Sequence, residues 1–110
     1  MSHPYTPLQS MIDAADKAES YLLRHCNPPS DSWERQSWDS LRADRRRIKV
    51  IEAVWDRWQA YCARLAGDTS FDVADRRAKE AIKKAVADGF PMARVDAIGN
   101  EIIAWVSRPR

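Results

Sequence analysis

The spacing of apolar residues between positions 41 and 65 restricts the fold of this chain more than any other feature. Leu41, Ile48, Ile51, Trp55, Trp58, Cys62 and Leu65 follow one another in steps of three and four, with Asp44 in the one skipped position. That period belongs to an α-helix with one apolar side. Asp31-Ser-Trp-Glu34 reads as a capping box at its start, and Gly67 stands where a C-cap is expected. The spacing predicts a helix over residues 32–66. A shorter stripe, Leu8, Met11, Ala15, Ala18 and Leu22, has Pro7 at a favoured first position behind Thr6 and stops before Asn27-Pro28-Pro29. It predicts a helix over residues 7–25. Two such stripes joined by a Pro-rich turn predict an antiparallel helical hairpin packed like a short coiled coil.

Val50, Val54 and Tyr61 form a second apolar line on the long helix, which calls for another neighbour. Residues 70–88 supply one. Ala74, Ala78, Ala81, Ile82, Ala85 and Val86 make a side of small residues, opened by Asp68-Thr-Ser-Phe-Asp72 and closed by Asp88-Gly89. Residues 92–106 read two ways. As a helix, Met92, Val95, Ile98, Ile102 and Val106 share one side behind Pro91. As a β-hairpin, two strands flank Gly99-Asn100, a two-residue turn signal, and the β-branched enrichment favours this reading. The expected fold is mostly α, becoming α+β at the C-terminus: a helical hairpin, a third helix and a short β-hairpin in one domain spanning 1–110. Ile98, Ile103 and Trp105 then stand on the hairpin's outward face, and a two-stranded ribbon with an uncovered face invites a partner.

The chain has 110 residues, 45% hydrophobic and 31% charged, which fits one folded domain. Its longest apolar run is residues 102–106, against the roughly 20 residues of a membrane helix, so no membrane partner is expected. The N-terminal residues lack a basic and then an apolar stretch, so the expected location is cytoplasmic, the host cytoplasm if the chain is phage-encoded. Cys26 and Cys62 fall at opposite ends of the predicted helical hairpin and are expected as reduced thiols.

Catalytic and metal-binding patterns are weak. His3, His25, Cys26 and Cys62 lack metal-ligand spacing, and His25 and Cys26, being adjacent, do not face each other on a helix. Cys62 lies on the expected buried stripe. With three glycines there is no phosphate-cradling loop. Asp72 and Asp75 match the dipole of a helix start. The reading is no enzyme, no metal and no cofactor.

Two features point to binding. Arg42, Arg45, Arg46 and Lys49 stand at i, i+3, i+4 and i+7 of a helix and form a basic ridge beside Trp38. Five tryptophans are a heavy load for this length, and Trp and Arg are the residues most enriched at interface hot spots. Trp33 and Trp38, in the connecting region, either cap the helical hairpin or face a partner. The Arg- and Trp-rich composition and residues 81–106 resemble the small accessory proteins of phages and prophages. That resemblance implies an anti-CRISPR-like inhibitor or regulator occupying a surface on a host complex. The expected function is a non-enzymatic protein-binding module using Trp38, Arg42, Arg45, Arg46 and Lys49 together with Ile98, Ile103 and Trp105. The alternative is a nucleic-acid-binding regulator that sets the same ridge against phosphates. A third reading is a homodimer.

Overall fold

The computed structural model describes residues 2–109, in which four helices and no strand are formed: α1 (Thr6–His25), α2 (Ser32–Leu65), α3 (Asp72–Ala87) and α4 (Met92–Val106). The chain divides into two compact units, one ending at Ile48 and the other beginning at Lys49, so the boundary falls inside α2.

The first unit holds α1 and the opening turns of α2. Leu8, Ala15 and Leu22 of the α1 stripe are buried, as are Leu41 and Ile48 of α2; Met11 is half-buried and Ala18 exposed. The turn between the helices is built from side-chain caps. Asp31 Oδ1 accepts the Glu34 backbone N–H at 2.8 Å, and the Glu34 carboxylate reaches back to the Ser30 N–H and, at 2.7 Å, the Ser30 hydroxyl. The first of these bonds satisfies a donor that a helix start leaves open, and the other two tie Ser30, ahead of the helix, to its first turn. Beneath them Cys26 is buried, and its carbonyl accepts the Trp38 indole N–H at 2.8 Å.

The second unit holds the remainder of α2 with α3 and α4. Ala53, Ala78 and Ile82 form a buried cluster against which Val54, Val86 and Val95 pack. Both connections turn on a glycine. Gly67 and Gly89 have φ of 77° and 103°; Asp68 N–H donates to the Ala63 carbonyl and Phe90 N–H to the Ala85 carbonyl, each at 2.9 Å. These are the six-to-one bonds of the Schellman motif, which needs a left-handed residue.

Residues 92–106 are a helix, and the expected β-hairpin is absent. Gly99 and Asn100 lie in mid-helix, and among the described residues only Gly67 and Gly89 have positive φ, so the turn geometry of a Gly-Asn hairpin does not form. Burial decides the matter. A hairpin sends Ile98 and Ile102 to opposite faces, whereas a helix stacks them one turn apart; they are 3% and 0% exposed. Each is worth about 1.5–3 kcal/mol when taken fully from water, more than a two-residue turn preference supplies. The outward face of Ile98, Ile103 and Trp105 therefore does not exist, and Ile98 is interior.

The long stripe also ends earlier than its spacing suggests. Cys62 is exposed and Leu65 is 74% exposed. In the second unit the interior lies on the side of α2 that carries Ala53 and Val54, which rotates burial away from the line through Cys62 and Leu65. Ala81, counted on the small-residue side of α3, is exposed as well.

Candidate binding grooves

Each unit carries an open groove of mixed character. In the first unit, Ala18 and Tyr21 of α1 and Trp33, Ser37, Ser40 and Asp44 of α2 line a groove of about 320 Å³. Trp33 is 63% exposed; its carbonyl accepts the Ser37 hydroxyl at 3.0 Å, but its indole makes no hydrogen bond or ring contact among the described residues. Tyr21, 54% exposed, leans on the His25 imidazole with ring centres 4.7 Å apart. Asp44 is exposed and unpaired among the described residues, which leaves the groove a carboxylate at one place and two aromatic rings at another.

Three side chains of the expected Trp-Arg patch have partners within the chain. Trp38 is half-buried and spends its indole N–H on the Cys26 carbonyl, so of the two connecting tryptophans it is the one that fastens the turn. Arg42 pairs with Asp39 on its own helix at 2.6 Å. Arg45 crosses to α1, meeting Asp16 at 2.9 Å and Glu19 at 3.5 Å, and the hydrogen bond to Asp16 chiefly raises its affinity for its proton. Arg46 is exposed without an ion pair among the described residues; Lys49, likewise exposed and unpaired there, belongs to the second unit.

Beside this groove's hairpin turn, two titrating groups are shifted in opposite directions. The hydrogen bond from the Ser30 backbone N–H, helped by the Ser30 hydroxyl, holds the Glu34 carboxyl below the usual carboxylate range. Burial, reinforced by the charge of that carboxylate, pushes the Cys26 thiol up. Cys26 is therefore a poor nucleophile.

In the second unit, α2, α3 and α4 enclose a groove of about 520 Å³. Its floor is apolar, and Arg57, Tyr61 and Arg64 of α2 face Asp96, Asn100 and Ile103 of α4 along its sides. Gly99 deepens it: a Cβ there would lie 3.9 Å from Val54 Cγ1 with no other side chain near. Both arginines are anchored by Asp75, which is 5% exposed. Asp75 Oδ2 accepts from Arg64 Nη2 at 2.7 Å, while Arg57 Nε stands 3.5 Å from Oδ1 and Lys79 Nζ 3.8 Å from Oδ2. Arg64 Nε also faces Asp72 at 3.3 Å. A carboxylate this deeply buried requires such company. Ile103 is 45% exposed at the rim; Trp105 is instead engaged, edge-on to Trp55 at 6.5 Å and under the Arg108 guanidinium at 4.2 Å.

Sequence reasoning foresaw neither groove as such, although it named Ile103 of the second and weighed Trp33 of the first as facing a partner. For Trp33 a signal existed: stepping back from Leu41 by three reaches Trp38, on the seam, and leaves Trp33 off it. For Arg57, Arg64 and Asp75 none existed, because the pairs join different helices. No family model, curated protein or solved structure matches this chain. Among the described residues no three His, Cys, Asp or Glu side chains gather as a metal site, and no helix is long and apolar enough to cross a membrane.

Proposed function

We propose that this chain is a protein-binding module that acts by occupying a surface on its partner, with the first unit's groove as the contacting face. One observation carries the reading: the Trp33 indole stands mostly in water in the same groove as Tyr21, without a hydrogen-bond or ring partner among the described residues. A large ring left exposed is a standing gain for whatever covers it, and tryptophan and tyrosine dominate interface energetics. The groove's chemistry describes the partner: an apolar segment to lie on Tyr21 and Trp33, bearing a lysine or arginine within reach of Asp44. Inhibition by occupancy, as in the phage accessory proteins that this chain resembles, fits such a face.

The test is selection of binders from a random peptide library against the immobilised chain. Enriched sequences should combine aliphatic or aromatic residues with a cation. Trp33→Ala should weaken them by at least about tenfold, ~1.4 kcal/mol, without changing the helical circular dichroism. Peptides that bind Trp33→Ala as well as the parent chain would sink the reading. The phosphate-binding alternative is weakened by the ion pairs that occupy Arg42 and Arg45. It predicts duplex binding that falls by orders of magnitude between about 50 and 200 mM salt.

A further inference from the structure

The second unit's groove is open along its length, since Arg57, Arg64, Tyr61 and Ile103 are each about half exposed. An occupant of such a groove is a chain segment rather than an enclosed small molecule, which is normally buried over most of its surface. Two properties of the lining identify the segment. First, the groove holds both signs of charge, and the pairing of Arg57 and Arg64 with Asp75 leaves Asp96 over. Arg57 reaches Asp75 only through Nε, leaving its terminal nitrogens unused, and Asp96 makes no hydrogen bond or ion pair among the described residues. Second, Ile103 of α4 and Tyr61 of α2, both in the lining, are exposed large side chains, and the same two helices expose Met92 and Leu65 outside it. A surface with an apolar strip, a free cation edge and a free carboxylate complements itself when turned through a two-fold axis, as an isologous dimer requires.

We infer that the second unit is a homodimerisation surface, in which the α4 edge of one copy seats in the α2–α4 groove of the other and Asp96 of each copy meets the Arg57 guanidinium of its partner. Asp75 serves this contact by holding Arg57 at the rim, a positioning role made from the interior.

Sedimentation equilibrium of the full chain over a range of concentrations tests this. The expected mass rises from 12.6 kDa towards twice that value. Asp96→Arg and Ile103→Glu, both at exposed positions, should each weaken self-association by at least about tenfold, ~1.4 kcal/mol, with the helical circular dichroism at low temperature unchanged. Trp33→Ala should leave self-association intact, so that failure here is separable from failure of the peptide-binding reading. A monomer at all concentrations would overturn the inference. So would a dimer that survives both groove substitutions, or one that Trp33→Ala abolishes.

Discussion

At the scale of single residues, the three glycines divide by backbone geometry. Gly67 and Gly89 are left-handed, and alanine at either position should lower stability by about 1–2 kcal/mol. Gly99 is helical, and the Cβ that alanine adds meets only Val54 at 3.9 Å, an ordinary contact. Gly99→Ala should therefore raise stability by about 0.5–1 kcal/mol. Urea midpoints of the three variants, moving in opposite directions, check this. Glu34 and Cys26 make a second pair of opposites. Glu34's folded carboxyl is lowered, so its contribution is present above the ordinary carboxylate value and disappears as pH falls through the lowered one. Cys26's thiol is raised, so its contribution is complete below the ordinary thiol value and disappears as pH rises through the raised one. Between these limits neither group adds a slope, and Glu34→Gln should flatten the acid side of the profile. An acid limb unchanged in that variant would assign the acid sensitivity elsewhere.

At the scale of elements, α4 carries the sharpest expectation. Ile102 is fully buried, and Ile102→Ala should cost about 2–5 kcal/mol, read as a drop in thermal midpoint with loss of helical signal. A cost below about 1 kcal/mol would mean that α4 is weakly docked. The helices were legible where burial and period agreed. The line from Leu8 to Leu22 marks α1, and Gly67 and Gly89 stand at the ends their geometry demands. Legibility failed where a local signal competed with packing: Gly99-Asn100 is a good turn in isolation, and only the joint burial of Ile98 and Ile102 overrules it. It failed again where one helix serves different neighbours, because period alone does not say which side of α2 faces inward beyond Ile48. The grooves were least legible of all. An ion pair such as Arg64–Asp75 depends on how helices meet, and an exposed ring such as Trp33 is defined by what fails to cover it.

At the scale of the whole chain, the unbroken backbone of α2 runs through both compact units, and each unit has its own groove with its own chemistry. A chain that pairs through the second unit would offer two first-unit grooves per assembly. Its grip on a partner with repeated sites would then exceed that of a single groove, by an amount set by linkage rather than new contacts. The distribution of the five tryptophans has an optical consequence. Trp33 emits from water in one unit, while Trp105 emits from beside another indole and beneath a guanidinium in the other. The chain thus contains its own dyes: a blue shift lost in Trp33→Phe records a visitor at the first unit, and one lost in Trp105→Phe records an event at the second.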